Sequence, residues 1–358
     1  MDYEALMKRC IELAKQAEGQ VSPNPLVGAV VLDKENKIIA EGFHKKFGEN
    51  HAERNALLKL STSQTEGGTI VVNLEPCSHY GKTPPCADLI IEKKIKRVVI
   101  GMRDVNPVVA GNGIAKLKAA GIEVVENVLE PECRKLNEVF IKNIVFAKTF
   151  VAIKSASTID GKIATSCGSS KWITSAGARE EVLKIRNRYD AILTSSATVI
   201  ADNPTMQHRK KIIIDRELKI DIQNSKIFDN GEIILVYDKN ISPAKLKTVL
   251  NEKKYLNRVT LLPAPTIALK IDFSFVLDKL FEMGVMSILV EAGGRLNGSV
   301  LPYADKIYQF IAPKILGDNK GLSCYDFRNA ESIDDSDVFI IDEVKAFAPD
   351  ILLTLYKK

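Results

Sequence analysis

The chain carries three short segments, which read HAE at residues 51–53, LEPCSH at 74–79 and GKTPPC at 81–86. Together they offer one histidine, His51, and two cysteines, Cys77 and Cys86, with the carboxylate of Glu53 two residues after the histidine. Zinc prefers imidazole nitrogen and thiolate sulfur, and a catalytic zinc takes three protein ligands and leaves a fourth position to water. The segments therefore predict a zinc centre formed by His51, Cys77 and Cys86.

Glu53 indicates what this centre would do. Zinc makes a bound water acidic enough to supply hydroxide near neutral pH, and hydrolytic removal of an amine also needs a group that passes the water's proton to the leaving nitrogen. The order H-x-E followed by P-C is that of zinc deaminases, in which the glutamate is not a ligand. Eight residues separate Cys77 from Cys86 here, instead of the two in that pattern. We predict a catalytic zinc centre with Glu53 as the proton shuttle.

Each of these residues also has a simpler interpretation. Asn50 and Glu53 have the spacing of a capping box, in which Glu53 would only satisfy a helix N-terminus. On a helix, His51 and Glu53 share a pocket only if His51 lies at the very start. Cys77 and Cys86 could be small buried hydrophobic residues or half of a structural zinc site. The four residues taken together, with Pro76 before the first cysteine, favour the catalytic interpretation.

Length and composition are those of a globular protein with two domains. The chain of 358 residues fits two domains of roughly 150–200 residues each. Six irregularly spaced cysteines do not suggest a disulfide framework. The N-terminus has no signal-peptide pattern, and no apolar run is long enough to span a membrane. We predict a cytoplasmic protein that acts on a small molecule and has no membrane partner.

Positive charge is spread along the chain and gives no sign of a nucleic-acid partner. The net charge is +5, and the short basic clusters lie at residues 93–97 and 209–211. The first cluster precedes an apolar run, which is typical of a helix C-terminus favoured by the helix dipole. With 6% aromatic residues the sequence shows no stacking platform for RNA bases.

The first half alternates strands with helices, which is an α/β pattern. Asp2, Asn50 and Thr83 are candidate N-caps. The predicted helices cover residues 2–17, 51–60, 83–94, 113–120 and 130–143. The predicted strands cover residues 26–32, 37–41, 69–74, 97–101 and 122–125, and the first two form a hairpin through 33–36.

The pattern starts again after residue 145, so we place the domains at 1–145 and 146–358. Asp160-Gly161 between apolar residues predicts a hairpin turn. The predicted strands cover residues 150–156, 190–194, 211–214, 232–237, 285–290 and 306–316, and the predicted helices cover 175–187 and 273–283. A second hairpin is predicted over residues 338–355.

A second candidate site follows a predicted strand. No G-x-G-x-x-G is present, but residues 290–299 read VEAGGRLNGS. Glycines at a strand-to-helix turn let backbone N–H groups approach a phosphate, and Arg295 could add a charge for a 2′-phosphate. Taken alone, a Gly-Gly pair is more typical of a tight turn and a lone tryptophan such as Trp172 is more typical of a core. Arg186 and Arg209 could be solvated surface residues.

Four segments of the first half match one known family. They are SPNP-x-VGAV at residues 22–30, HAE at 51–53, LEPCSH-x-GKTPPCA at 74–87 and MRD-x-NP-x-V-x-G at 102–111. These segments, and the long cysteine spacing, resemble the bifunctional deaminase–reductases of riboflavin biosynthesis. The resemblance implies a three-layer cytidine-deaminase-like domain that deaminates 2,5-diamino-6-(5-phosphoribosylamino)pyrimidin-4(3H)-one at ring carbon 2. It also implies that Asn24, His44 and His79 line the base pocket, although Asn24 between two prolines could be only a turn residue.

The second half resembles the reductase part of the same family. The matching segments lie at residues 154–162, 170–174, 198–204, 291–299 and 311–317. They imply a dihydrofolate-reductase-like α/β domain that uses NADPH to reduce the ribosyl side chain to ribityl, giving 5-amino-6-(5-phosphoribitylamino)uracil. NADPH would contact Ala156, Trp172, Thr198, Asp202, Gly293, Gly294, Arg295, Leu296, Asn297, Gly298 and Ser299. The substrate would contact Ser170, Arg186, Met206, Arg209 and Glu291. We also expect a homodimer or a larger homo-oligomer.

The sequence departs from the family pattern at two places, and other functions stay open. Asn203 stands where the family usually has a second acidic residue, and the segment between Arg209 and Lys211 is short. One alternative is a zinc nucleoside or tRNA deaminase whose second half is a recognition module. Another is a nucleotide-binding regulator in which the metal is structural.

Overall fold

The computed structural model of the chain describes all residues except 81–83, 108–109, 251–256 and 327–330, together with the side chains of 248–250. The chain divides into two compact units, Met1–Ala147 and Lys148–Lys358. Among the residues described, no helix combines the length and the apolar character that crossing a membrane requires.

The first unit has one five-stranded sheet. Its helices are α1 (Tyr3–Lys15), α2 (Ala52–Leu57), α3 (Thr62–Thr65), α4 (Cys86–Glu92), α5 (Asn112–Ala119), α6 (Glu130–Leu136) and α7 (Glu138–Phe146). Its strands are β1 (Gly28–Leu32), β2 (Ile38–Phe43), β3 (Thr69–Leu74), β4 (Arg97–Met102) and β5 (Glu123–Val125). The order is β2-β1-β3-β4-β5, with β1 antiparallel to β2 and β3, and with β3, β4 and β5 parallel.

This sheet is the middle layer of three. Along the strands the side chains alternate, so that Val71 and Val99 pack with α1 while Ile70 and Val98 pack with α2, α4 and α5. Gly28 allows α1 to lie close to β1, because a Cβ atom there would be 2.1 Å from the carbonyl oxygen of Cys10. The predicted three-layer architecture of this half is confirmed.

The helix starts agree only in part with the predicted caps. Asp2 caps α1 as predicted, accepting a hydrogen bond from the Ala5 N–H at 3.0 Å. The N-cap of α2 is His51 and not Asn50, so the capping-box interpretation of Glu53 is wrong. Thr83 lies outside the described residues, and α4 begins at Cys86 with Pro85 as its N-cap.

The single helix predicted over residues 130–143 is two helices, α6 and α7, that meet at Asn137. The side-chain amide of Asn137 bonds both backbone polar groups of Leu26, at 2.8 and 3.1 Å. Asn137 is 2% exposed. Helical periodicity could not show this break, because its cause lies 111 residues away in sequence.

The second unit has a nine-stranded sheet. The strands described in this unit are β6 (Phe150–Thr158), β7 (Lys162–Ala164), β8 (Ala191–Ser195), β9 (Lys210–Ile214), β10 (Glu232–Asp238), β11 (Val259–Ala264), β12 (Thr266–Ile267), β13 (Lys270–Ile271), β14 (Ser287–Val290), β15 (Lys306–Ala312), β16 (Leu322–Ser323), β17 (Phe339–Phe347) and β18 (Asp350–Lys357). Four of them form two two-stranded sheets outside the large one, β12 with β13 and β16 with β7. Its helices are α8 (Ala176–Arg186), α9 (Ser196–Asp202), α10 (Pro243–Leu250), α11 (Phe273–Glu282) and α12 (Gly294–Val300), with short 3₁₀ helices at Lys226–Phe228, Leu301–Tyr303 and Ile333–Asp335.

The large sheet has the order β11-β10-β9-β8-β14-β6-β15-β18-β17. The strands from β11 to β15 are parallel, and β18 and β17 add an antiparallel hairpin at one edge. Separate hydrophobic clusters cover its two faces, one with α11 and α12 and the other with α9 and the 220–228 segment. The predicted α/β class and the C-terminal hairpin are confirmed.

The hairpin predicted at Asp160-Gly161 is wrong, because the strand after the turn does not pair with the strand before it. A turn does form there, with Gly161 at φ +73°, but β7 pairs with β16. The Asp160 carboxylate instead accepts hydrogen bonds from the backbone N–H groups of Leu316 and Gly317, at 3.2 and 2.9 Å. The Asp-Gly pair therefore attaches a distant loop and does not close a two-stranded ribbon.

The basic cluster at residues 209–211 is engaged within the protein. Arg209 bonds Asp190 at 2.9 Å, and the Lys210 ammonium lies 3.5 Å from Glu232. Lys211 is fully buried, and its ammonium donates to Ile227 and Asn230. β9 begins at Lys210, so the short segment after Arg209 is the start of a strand.

Candidate active sites

The predicted zinc ligands meet in the first unit. His51 Nδ1 lies 3.5 Å from the Sγ atoms of both Cys77 and Cys86, and the three donor atoms are all within 4.8 Å of one another. Tetrahedral zinc with ordinary bond lengths would set such nitrogen and sulfur atoms about 3.6 Å apart. Hydrogen bonds from Cys86 and His51 lower the pKa of the Cys77 thiol, which favours the thiolate that zinc binds. The donor set therefore fits zinc.

Local structure explains how these ligands converge. His51 is the N-cap of α2, Cys86 is the first residue of α4, and Cys77 lies in the segment after β3. The Cys86 N–H donates to Cys77 Sγ at 3.3 Å, so the N-terminus of α4 also stabilises a thiolate at residue 77. The two helix starts and the end of the strand thus hold the three donors on one side of the sheet.

Glu53 lies beside these donors. It is only 3% exposed, and burial raises its pKa to about 6. Because His51 precedes the first turn of α2, Glu53 at the second helical position can face the same cavity as His51. A buried carboxyl group with a pKa close to neutrality is suited to accept and release a proton. The burial and position of Glu53 therefore fit the predicted role of a proton shuttle.

The centre opens into a cavity of about 210 Å³. Its lining residues are Asn24, Pro25, Val27, His44, His51, Glu53, Leu74, Glu75, Cys77, His79, Asp104, Asn106 and Phe140. The three residues predicted for the base pocket are all in this lining. A cavity of this kind, with convergent polar groups around apolar walls, is typical of a small-molecule site.

Asn24 and His44 form one hydrogen-bonded pair in this lining. The His44 Nδ1–H donates to the Asn50 carbonyl oxygen at 3.0 Å, so Nε2 accepts from the Asn24 amide, also at 3.0 Å. Burial lowers the pKa of His44, which is consistent with the neutral ring that this pattern requires. Asn24 is therefore more than a turn residue, because its amide is fixed at the cavity wall.

Glu75 lines the cavity, and the sequence analysis assigned it no role. Its buried carboxylate accepts hydrogen bonds from the backbone N–H groups of Asp104, Gly111, Gly113 and Ile114, at 3.0–3.2 Å. These contacts attach the loop after β4 and the start of α5 to the segment that carries Cys77. The signal in the sequence was only that an acidic residue stands between an apolar strand and Pro76.

The second unit brings together two of its predicted substrate residues. Arg186 of α8 donates from Nε and Nη2 to the two carboxylate oxygens of Glu291, at 2.6 and 2.8 Å. Glu291 follows β14 directly and is 7% exposed. Burial alone would raise its pKa, but Arg186 and then Lys154 lower it. Arg186 is thus a partner of a buried carboxylate and not a solvated surface residue.

Lys154 of β6 is the third charged group of this cluster and was not predicted as a site residue. Burial lowers its pKa, while the charge of Glu291 opposes that change. Its ammonium lies 5.9 Å from the centre of the Phe310 ring. Lys154 follows Ile153, which pairs with Val290 of the adjacent parallel strand β14, so the lysine lies beside Glu291 where that strand ends. The carboxyl ends of strands are where ligands bind an open α/β sheet.

The remaining predicted substrate residues are dispersed. Arg209 bonds Asp190, which also accepts from the N–H groups of Met286 and Ser287 at 3.0 and 3.2 Å. The Arg209 side chain is 58% exposed, so it has room for an anionic ligand. Met206 is buried in a hydrophobic cluster, and its side chain does not face open space. Ser170 is half-buried in the segment before α8.

Three predicted cofactor residues follow neighbouring parallel strands. Thr198 lies in the first turn of α9 after β8, Gly293 follows β14, and Ala156 is near the end of β6. Since β8, β14 and β6 are adjacent, these residues share the carboxyl edge of the sheet, where nucleotides bind in this class of fold. Their placement fits a dinucleotide.

Several residues of the predicted cofactor segment 293–299 are buried. A Cβ atom at Gly294 would lie 2.0 Å from the Ser323 carbonyl oxygen, and one at Gly298 1.7 Å from that of Asp326. Leu296 is part of the core, and Asn297 is buried with its amide donating to Cys324. These glycines therefore serve packing against residues 323–326. Gly293, Arg295 and Ser299 are the predicted residues of this segment that keep exposed surface.

Trp172 and Asp202 are exposed, so the core interpretation of Trp172 is wrong. Trp172 is 66% exposed, with the Arg179 guanidinium 4.6 Å above its ring. Asn203, the departure from the family pattern, ends α9 at φ +41° and accepts a hydrogen bond from the Lys226 N–H at 2.8 Å. The Asn203 amide also donates to the Asn224 carbonyl oxygen at 3.4 Å, a contact that a carboxylate could not make.

Comparisons with known proteins agree over both units. Residues 1–102 match the cytidine and deoxycytidylate deaminase zinc-binding region, and residues 149–351 match the RibD C-terminal domain. The riboflavin biosynthesis protein RibD of Actinobacillus pleuropneumoniae is 38% identical, covering 99% of this chain and 94% of that protein. The RibD of Escherichia coli K12 is 34% identical, covering 99% of both. A similar solved structure comes from Thermotoga maritima and is described as a diaminohydroxyphosphoribosylaminopyrimidine deaminase/5-amino-6-(5-phosphoribosylamino)uracil reductase. It is 38% identical, with a TM-score of 0.84, and the match covers 99% of both chains.

Proposed function

The chain belongs to the RibD family of riboflavin biosynthesis proteins, and we propose on that premise how its two units divide the work of a bifunctional deaminase–reductase. Met1–Ala147 would hold zinc and remove an amine from 2,5-diamino-6-(5-phosphoribosylamino)pyrimidin-4(3H)-one. Lys148–Lys358 would then reduce the ribosyl side chain with NADPH, giving 5-amino-6-(5-phosphoribitylamino)uracil. The observation that carries the proposal is the set His51, Cys77 and Cys86 with Glu53 buried beside it, in a chain whose second half matches the RibD C-terminal domain.

In the first unit, His51, Cys77 and Cys86 would hold the metal. Zinc supplies the acidity that lets water act as a nucleophile near neutral pH. Glu53 takes the proton that water loses on attack at ring carbon 2 and donates it to the departing amine, which leaves as ammonia. Asn24 and His44 hold the pyrimidine in place at the cavity wall, and burial around Glu53 excludes bulk water from the transfer.

In the second unit, Arg186 orients Glu291 through its two hydrogen bonds, and Lys154 adds positive charge beside that carboxylate. NADPH supplies the hydride that C1′ of the ribose receives. The C1′–O4′ bond opens as C1′ is reduced, and O4′ takes one proton from solvent water. Because the fork of Arg186 is engaged with Glu291, we assign the substrate's 5′-phosphate to the exposed guanidinium of Arg209.

The proposal is tested by incubating the purified zinc protein with NADPH and the diaminopyrimidine phosphate, and identifying the products by mass. We expect the ribitylamino uracil phosphate, one ammonia and one oxidised NADPH for each substrate. Ammonia release without NADPH oxidation would support the function of the first unit only. The absence of both ammonia release and NADPH oxidation would overturn the proposal.

The match of residues 149–351 to the RibD C-terminal domain favours this function over a zinc nucleoside or tRNA deaminase with a recognition module. The contacts of Lys210 and Lys211 argue in the same direction, because Lys210 lies beside Glu232 and the buried Lys211 ammonium donates to the carbonyl oxygens of Ile227 and Asn230. A small-molecule substrate, the absence of a nucleic-acid partner and a cytoplasmic location stay predictions of the sequence.

We also infer that two chains associate through the β17–β18 hairpin. On one face of this hairpin Ile341 lies opposite Leu355 and Val344 opposite Leu353. Ile341 and Val344 are 58% and 61% exposed, on the last strand of the sheet. An apolar, uncovered edge strand invites association with another chain. A cavity of about 760 Å³, lined in part by Leu355, adjoins this face.

Val344→Asp is expected to convert a dimer into a monomer, because it would bury an unpaired charge in that interface. Light scattering after size exclusion should give twice the 39.5 kDa chain mass for the parent protein and the single-chain mass for the variant. Ile340→Asp is the matched control, since Ile340 is 55% exposed but lies opposite Tyr356 on the other face. A dimer that survives Val344→Asp, or that only Ile340→Asp dissociates, would contradict this interface.

A further inference from the structure

Asn137 joins two parts of the first unit that are remote in sequence. It lies between α6 and α7, and its amide accepts from the Leu26 N–H at 2.8 Å and donates to the Leu26 carbonyl at 3.1 Å. One side chain thus makes both hydrogen bonds that a neighbouring strand would make to this residue. Asn137 is 2% exposed. Removing its amide would therefore remove one hydrogen bond from the N–H and one from the carbonyl oxygen of Leu26 in a buried place, which is costly.

A second buried asparagine supports the same segment from the sheet. Asn73 of β3 donates to the Leu26 carbonyl at 2.9 Å and accepts from the Gly28 N–H at 2.8 Å. The segment 24–28 is therefore held by side-chain amides on both sides, before β1 begins its regular pairing. Three residues of this segment, Asn24, Pro25 and Val27, line the cavity beside the metal centre. The position of that wall depends on the two asparagines.

α7 also reaches the cavity directly. Phe140 lines it, and it follows Asn137 by three residues, which places both on one side of the helix. The match to the deaminase zinc-binding region ends at residue 102, so α7 lies outside the part that supplies the zinc ligands. A helix added beyond the metal-binding part, with an aromatic ring in the cavity, is suited to select the substrate.

We propose that α7 is the substrate-selecting wall of the deaminase cavity. Phe140 packs against the pyrimidine, and Asn137 is a positioning residue that acts on Asn24 through the backbone of Leu26. This inference rests on the proposed deamination, and it adds residues outside the zinc-binding region to that site. Neither residue takes part in proton transfer, so both act on substrate affinity and leave the chemical step to Glu53.

Phe140→Ala is expected to raise the KM for the diaminopyrimidine phosphate about tenfold, with kcat and zinc content unchanged, since an aromatic ring contact is removed in the ground state and the transition state alike. The matched control is Phe146→Ala on the same helix, because Phe146 is 65% exposed and is not in the cavity lining. An unchanged KM in Phe140→Ala, or an equal rise in Phe146→Ala, would overturn the role of Phe140.

The action of Asn137 through Asn24 is tested by a double-mutant cycle on KM, with zinc content measured in each protein. Asn137→Ala should raise KM about tenfold in the parent and less than about twofold in Asn24→Ala, because the second change removes the contact that Asn137 positions. Equal effects in both backgrounds would overturn this coupling. If Asn137→Ala does not fold, the Phe140 comparison still decides whether α7 selects the substrate. A parent protein that releases no ammonia overturns the proposed function itself, whereas active variants with parental KM overturn only this inference.

Discussion

Glu53→Gln is expected to lower the kcat for ammonia release by about 10²–10⁴-fold while zinc stays bound. The amide keeps the size of the side chain, but it cannot take a proton from water and return it to the leaving nitrogen. Glu53 is not one of the three donors that converge on the metal, so the metal content should equal that of the parent protein. Ammonia release and zinc content are measured on the same preparation.

Glu35→Gln is a suitable control for this change. Glu35 is exposed, in the turn between β1 and β2, and its contact with Lys34 at 3.7 Å is a surface ion pair of small energy. It should leave ammonia release unaltered. If Glu53→Gln retained the parental rate, Glu53 would not be the shuttle. If it lost zinc, Glu53 would have to be part of the metal site.

Arg186→Met should destabilise the second unit by about 3–5 kcal/mol, the usual cost of removing one partner of a buried ion pair. Glu291 would keep its burial and lose two hydrogen bonds of 2.6 and 2.8 Å. Urea unfolding followed by the fluorescence of Trp172, the one tryptophan of the chain, reports this unit. Lys184→Met is the control, because Lys184 is 70% exposed on the same helix.

The pH dependence of this effect has a definite sign. In the parent protein the pKa of Glu291 is lowered, so its contribution to stability is complete above the unfolded value of about 4.3 and is lost as the pH falls below it. Without Arg186, burial is the largest influence on Glu291 and should outweigh the remaining charge of Lys154, so its pKa should rise and the variant should lose stability as the pH rises through the unfolded value. The difference in free energy of unfolding should therefore be larger at pH 8 than at pH 5. An equal difference at the two values would show that Arg186 acts by packing and not through the charge of Glu291.

The zinc site could be predicted because its chemistry is local to a few residue types. His51, Cys77 and Cys86 are recognisable in the sequence as nitrogen and sulfur donors of the kind that zinc prefers. An apolar run likewise predicted β3 at its observed residues 69–74. In these cases the signal lies within about ten residues of the feature.

Features that depend on distant partners could not be predicted in this way. The break at Asn137 and the burial of Glu75 arise from hydrogen bonds to segments 111 and about 30–40 residues away. Gly294 and Gly298 were predicted to contact a phosphate, and the structure shows a second reason for glycine there, because a Cβ atom at either residue would meet the backbone of Ser323 or Asp326. A glycine permits a close approach, but the sequence does not say whether a ligand or the chain itself approaches.

The central claim is that one chain deaminates first and reduces second, at separate sites. It is tested most directly by following NADPH oxidation in Glu53→Gln with each of the two pyrimidine phosphates in turn. We predict no NADPH oxidation with the diaminopyrimidine phosphate and the parental rate with 5-amino-6-(5-phosphoribosylamino)uracil, because the second unit is intact and lacks only its substrate. NADPH oxidation with the diaminopyrimidine phosphate in the absence of ammonia release would contradict the account. A failure to oxidise NADPH with either compound would also contradict it.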